Sequence, residues 1–145
     1  MCHLVALQRK DLNKKNMATL IPTLTLTSTD ISSDTLSLSV SDSISVGSPI
    51  SGVSSVSVST TGAQNIIVPA ANTTKITYIK HTGVDAGGNA VTTDLKIETT
   101  GDVMFAQLNA GEFCYFPHNT GGSTGVQLEA SSGTIVAEYA YFTHT

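Results

Sequence analysis

From Leu20 onward, apolar and polar residues alternate with a period of two. In TLTLTST, Leu24 and Leu26 fall on one face. In DTLSLSVSDSISVGS, from Asp34 to Ser48, the apolar residues Leu36, Leu38, Val40, Ile44 and Val46 all occupy even positions, and Ser37, Ser39, Ser41, Ser43 and Ser45 occupy odd ones. Successive side chains of a strand point to opposite faces. The pattern therefore predicts a half-buried strand, its even positions on a core and its serines toward water or another subunit. GSPISG interrupts the alternation with Pro49 and two glycines, and SSVSVST resumes it through Val56 and Val58. Upstream, Leu4 to Leu12 has room for a turn or two of helix, too short to stand alone.

The second half is punctuated more sharply. QNIIVPA is a short apolar run closed by Pro69. KITYIKH predicts a strand with Ile76 and Tyr78 on one face. VDAGGNA reads as a hairpin loop, because its glycines allow positive φ, and TTDLKIE as the return strand with Leu95 and Ile97 inward. The turns TTGD, NAGE and SSG and the loop PHNTGGSTG then separate VMFAQL, FCYF, VQLEA and TIVAEYAYFTH. Roughly nine or ten strands at a spacing of about 8–12 residues, with no useful helix after Met17, predict an all-β chain. The expected architecture is an antiparallel β-sandwich, jelly-roll-like, in which the Ser/Thr-rich strands cover one side of a core formed by Ile76 to Phe142. No fixed repeat period is sustained, so a solenoid is not expected.

Composition agrees with this reading. Of 145 residues, 40% are hydrophobic, only 12% are charged, and roughly a quarter are Ser or Thr. Disordered chains carry more charge and fewer β-branched residues. The net charge of -4 is unevenly placed. Up to Asn16, Arg9, Lys10, Lys14 and Lys15 stand against Asp11, a net of +3. From Met17 on, three lysines face ten acids, a net of -7. An acidic body argues against nucleic-acid binding by the folded part. The basic segment is either a solvated tail or a strip that touches an acidic partner surface, with Arg9, Lys10, Lys14 and Lys15 as its contact residues. Residues 1–19 thus read as an N-terminal arm, and residues 20–145 as a single β-sandwich domain. NMATL around Met17 also reads as a natural start, which would make the first residues an upstream extension. Neither a signal peptide nor a membrane-spanning helix is expected, since MCHLVAL precedes the basic run and no long apolar segment occurs.

Candidate chemistry is sparse. His3, His81, His118 and His144 form no metal-binding spacing, and Cys2 and Cys114 are too far apart to suggest a disulfide framework. GEFCYFPHNTGG resembles the second metal motif of cupins in the order of its Gly, Pro, His and Asn. The spacing differs and the paired-histidine first motif is missing, so no metal or cofactor is expected, and His118 reads as a loop residue at a sheet edge. Cys114, set among Phe113, Tyr115 and Phe116, reads as a structural thiol rather than a nucleophile assisted by His81 or His118. Asp85, Asp94 and Asp102 flank turns, where Asp caps its own backbone more often than it binds calcium. Tyr78, Tyr115, Tyr139 and Tyr141 lie inside strands and read as core or interface residues rather than an exposed sugar-binding platform. The chain is expected not to be an enzyme.

TKITYIKHTG, FAQLNAGEFCYFPHNTGG and GVQLEASSGTIVAEYAYF, taken together, resemble small β-sandwich virion proteins of tailed bacteriophages, including those of marine cyanobacterial phages. The shared order is a YIKNTG-like strand, a hairpin of the form L-x-PGEF-x-FLP and a closing VEYAYF-like strand. Asn109 to Gly111 replaces the usual Pro-Gly turn. The resemblance covers Thr74 to Phe142 and carries no binding-site signature. It implies a non-enzymatic particle component assembled in the host cytoplasm. The first expectation is a capsid decoration or cement protein, a homo-oligomer with a trimer favoured, whose partners are the major capsid protein or other virion proteins. The alternative is a tail, fibre-adaptor or host-binding module that presents the loops His81 to Val91 and Pro117 to Gly125 to a receptor. Nucleic acid and membrane are not expected partners.

Overall fold

The computed structural model describes residues 17–31, 34–47, 52–61, 65–119 and 121–145. The expected helical turn at Leu4 to Leu12, the break at Pro49, and the contact residues Arg9, Lys10, Lys14 and Lys15 lie outside the described residues. The described chain is all-β, with twelve strands and no helix. It is built as an antiparallel sandwich with a ribbon attached.

The sandwich comprises eight strands: β5 (Ser54–Ser59), β6 (Ile66–Val68), β7 (Lys75–His81), β8 (Leu95–Thr99), β9 (Met104–Leu108), β10 (Phe113–His118), β11 (Val126–Ala130) and β12 (Thr134–His144). Their pairings nest. The outermost pair in sequence is β5 with β12, followed inward by β6 with β11, β7 with β10 and β8 with β9, all antiparallel. Successive pairs alternate between two sheets. The large sheet carries β5-β12-β7-β10, and the small sheet carries β6-β11-β8-β9. Alternate residues of each strand meet between them. Val58, Ile79, Ile135 and Ala137 pack from the large sheet, and Val68, Leu95, Ile97, Val126 and Leu128 from the small one.

The nesting corrects one expectation. β7 and β8 belong to different sheets, so VDAGGNA is not their hairpin loop. It closes on itself through the Val84–Ala90 bridge and the Asp85 N–H donated to the Asn89 carbonyl, and its Val84 carbonyl accepts from the Val136 N–H at 2.8 Å. NAGE likewise carries the chain from one sheet to the other, with Gly111 at φ 86°. Its Glu112 carboxylate accepts from the Asn109 backbone N–H at 2.7 Å and from the Asn109 side-chain amide at 3.1 Å. A turn has the same local chemistry whether its strands pair or part, which is why sequence alone reads both as hairpins.

The Ser/Thr-rich segment also departs from expectation. DTLSLSVSDSISVGS makes two strands, β3 (Leu36–Ser41) and β4 (Ile44–Gly47), broken at Asp42 and Ser43. β4 pairs with β1 (Ala18–Leu20), and β3 with β2 (Thr23–Ser28). Leu20 faces Ile44 and Thr23 faces Ser41, with two residues between these pairs on each side, so the register runs through the break. The four strands are therefore one continuous ribbon, interrupted where Pro22 offers no backbone N–H. The Asp42 N–H still reaches the Pro22 carbonyl across the gap at 3.2 Å. The ribbon's base joins the large sheet where β4 pairs with the end of β12. Its outer half, β2 and β3, forms a separate two-stranded sheet.

The even positions do share a face, but not a core-facing one throughout. Val46 is buried and Ile44 half-buried at the base, whereas Leu36, Leu38 and Val40 are exposed, Val40 at 53%. Of the Ser/Thr-rich strands, β5 supplies the core, with Val58 fully buried and Val56 packed against it.

Packing should separate from patterning under mutation. Ile97→Ala removes a fully buried side chain and is expected to cost about 2–5 kcal/mol in denaturant unfolding. Gly125→Ala would drive a Cβ into the Val68 carbonyl oxygen, and a loss of about 1–3 kcal/mol is expected. Unchanged midpoints for both variants would contradict the packing described.

Candidate functional site

Strand alternation assigns the outer face of each sheet. In the small sheet it is polar. Lys96 on β8 meets Glu129 on β11 at 2.6 Å, and this hydrogen bond raises the lysine's pKa. Next along, the Gln127 amide donates to Glu98 at 3.2 Å and to Asp102 at 2.7 Å. Asp102 reaches that position from a left-handed turn residue, φ 60°. These groups satisfy one another, Glu98 and Gln127 being themselves buried, while Ile66 and Met104 stand exposed on the same face.

The large sheet is different. Ile79, Ala137, Tyr139, Cys114 and Phe116 point into the core, so their neighbours point out. Those neighbours are polar at one end, where Lys80 and Glu138 pair at 4.0 Å beside Phe113, and apolar along the rest. One row across β10, β7 and β12 runs Tyr115–Tyr78–Ala140, and the next Pro117–Ile76–Phe142. Ile76, Ala140 and Val46 are the three buried hydrophobic residues that lie outside the central cluster. Ile76 and Tyr78 thus share a face as expected, but it is the outer one.

The ribbon base covers part of this second apolar surface, and beyond the base the cover lifts away. Between them opens a groove of about 970 Å³. Leu24 and Val40, a directly paired couple of the ribbon, form one wall. Tyr78, Phe113, Tyr115 and Phe142 form the other. Phe113 is 63% exposed, and its ring contacts Tyr78 at 6.4 Å between centroids. Past the groove, the apolar face continues along the ribbon as the Leu26–Leu38 pair and Leu36. Polar chemistry is scarce, since Thr23, Ser41 and Asp42 are the polar residues among the lining side chains.

This surface had a signal in the sequence. In TIVAEYAYFTH, apolar residues stand at odd positions (Ile135, Ala137, Tyr139, Tyr141) and, Glu138 apart, at even ones (Val136, Ala140, Phe142), the mark of a strand covered on both faces, whereas VQLEA and LKIE alternate cleanly. The exposure of Phe113 and Tyr115 had none, since an edge position is set by which strands pair.

The other candidate residues are dispersed. His81 is fully buried, and its partners fix its tautomer. Nδ1 accepts from the Gly83 N–H at 2.9 Å, and Nε2 donates to the Thr93 carbonyl at 2.7 Å. His118 is the last residue of β10 rather than a loop residue, its Nε2 2.9 Å from the Thr77 hydroxyl. Burial, and then the nearby Lys75 charge, lowers its pKa. Burial pushes the Cys114 thiol up to about 11, so it holds its proton at neutral pH, as a structural thiol does. Asp85 accepts from the Gly87 and Asn89 N–H groups and from the Asn89 side chain, and these bonds, led by Asn89, lower its pKa. It caps its own turn. Among the described residues, no three His, Cys, Asp or Glu side chains gather where they could hold a metal ion. The loops after His81 and after His118 leave opposite ends of β7 and β10, because Lys80 faces Phe113 and Lys75 faces His118. They do not form one surface.

The chain matches no protein-family model, no curated protein and no solved structure.

The lowered pKa of His118 has a pH consequence. Its contribution to stability is fully present above the ordinary histidine value of 6.5 and is lost as pH falls through the lowered value. The melting temperature should therefore drop between about pH 8 and pH 5, and His118→Gln should flatten that slope. An identical slope in the variant would rule the assignment out.

Proposed function

We propose that this protein is a non-enzymatic structural component of a tailed-phage particle, most simply a capsid decoration or cement protein acting as a homo-oligomer. The observation that carries this reading is the apolar outer face of the large sheet, continued onto the ribbon. A broad apolar surface with few polar groups binds by excluding water from a partner of matching shape. The nested pairing of the sandwich supports it, because strand pairs that alternate between two sheets are in keeping with a jelly-roll winding, an architecture found among viral capsid domains and also among lectins and cupins. The resemblance of the β7, β10 and β12 segments to phage virion proteins points the same way. In this reading, Arg9, Lys10, Lys14 and Lys15 bind the acidic surface of the major capsid protein or of another virion protein.

One observation favours the second reading, a tail, fibre-adaptor or host-binding module. Phe113 and Tyr115 are exposed on β10, which lies at the sheet edge, and exposed aromatic rings are surfaces on which sugars stack.

Antibody labelling of intact particles tests both. Labelling over the head supports decoration, labelling at the tail tip supports the second reading, and particles without label overturn the virion assignment. Removing residues 1–16 is expected to abolish shell occupancy while circular dichroism still reports the sandwich. Full occupancy by the truncated chain would remove the basic segment from the mechanism.

A further inference from the structure

We infer that the open edge of β5 is a self-pairing site, where two copies of this chain join antiparallel, β5 to β5, into one continuous sheet. Val136 gives its N–H to the Val84 carbonyl at 2.8 Å, and its own carbonyl accepts from the Thr82 N–H at 3.1 Å. Its backbone groups therefore point away from β5, and Ser57, which lies opposite Val136, turns its own groups outward. Ser55 and Ser59, two residues to either side, do the same. Among the described residues, no strand pairs with β5 on that side. Open rows of this kind are templates for another strand, and folds blunt them with short strands, prolines, charges or bulges. The other edges are blunted. β1 and β6 have three residues each, and β9 shifts register against β8. Pro117, which faces away from β7 in the phase set by the His81 N–H on the Glu112 carbonyl, offers no N–H on the open side of β10. β5 runs for six residues, SSVSVS, with no proline, charge or register shift.

The residues of that edge make the occupant a second copy. Ser55 to Ser59, SVSVS, reads the same in both directions about Ser57. An antiparallel copy centred on Ser57 sets Ser57 against its own counterpart and Ser55 against Ser59. The residues that meet are those whose backbone groups face outward, in three pairs with about two hydrogen bonds each. The same register sets Val56 against Val58, both on the core side of their strands, and keeps the serines together on the outer side. A slip of one residue would set valine against serine and turn one copy's core face outward. Hydrogen-bond phase and side-chain face thus agree in one register, and a second copy supplies it. The pairing is isologous, about a two-fold axis at Ser57, and closes at two copies. It is independent of where the protein sits on a particle.

Sedimentation equilibrium and amide hydrogen exchange of the full chain test this together. At about 500 μM the wild type is expected at two chain masses, with the Ser55, Ser57 and Ser59 amides exchanging at least about tenfold more slowly than at about 5 μM. Ser57→Pro removes the N–H on the axis, which the chain's own sheet does not use, so the dilute variant should keep the wild-type melting temperature. Its association should weaken by at least about tenfold. Ser57→Lys sets like charges opposite each other and should dissociate the pair through the side chain instead. Thr25→Lys adds the same charge to an exposed position on the ribbon and should leave association intact. A wild type that stays a single chain at the higher concentration overturns the inference, as does equal dissociation by Thr25→Lys. So does a dimer whose three amides exchange as fast as in the monomer, because its contact lies elsewhere. Amides already protected in the monomer overturn it too, because the chain then covers its own edge. A monomer still found on particles would sink this inference and leave the virion assignment standing.

Discussion

The molecule depends on β12. A strand has two hydrogen-bonding edges, and these eleven residues use both. β7 runs along one edge, while β5 and then β4 share the other. Through β5 and β7 the strand holds the large sheet of the sandwich, and through β4 it holds the ribbon. Its alternating side chains also serve two masters. Ile135, Ala137, Tyr139 and Tyr141 belong to the central core, whereas Ala140 and Phe142 belong to the outer surface. A polar outer face on β12 would leave the ribbon base with nothing to pack on.

The contrast between the sheets follows from what lies over them. At the centre of the small sheet's outer face, charged and amide groups bond to one another, with the Asp102 turn reaching over to Gln127. The large sheet has the ribbon, and its outer face is apolar under the ribbon base and along the groove, up to the Lys80–Glu138 pair. Solvent exposure of so much apolar surface is unusual in a chain that works alone.

Much of this was legible in the residues, because side-chain periodicity is local. The alternation of TLTLTST and LSLSVS places Leu24, Leu26, Leu36 and Leu38 on one face, and the ribbon has that face. Leu95 and Ile97 point inward as their strand pattern requires. What the residues did not reveal was partnership. Nothing in KITYIKH or LKIE says that the two strands lie in opposite sheets, and nothing in DTLSLSVSDSISVGS says that its first half leaves the sandwich. Those outcomes depend on pairings between residues far apart in the chain. The ribbon pattern alone gives an apolar face without saying whether its cover comes from this chain or another.

The break at Pro22 separates two properties that most folds keep coupled. Below it, the ribbon is part of a sheet, and any change of length would disturb the pairing of β4 with β12. Above it, β2 and β3 answer only to each other. Adding two residues to each of them would lengthen the projection by roughly 6–7 Å and preserve its apolar face. The reach of the ribbon can therefore drift in evolution, to match wider or narrower spacing between neighbours, while the folding unit that carries it stays the same.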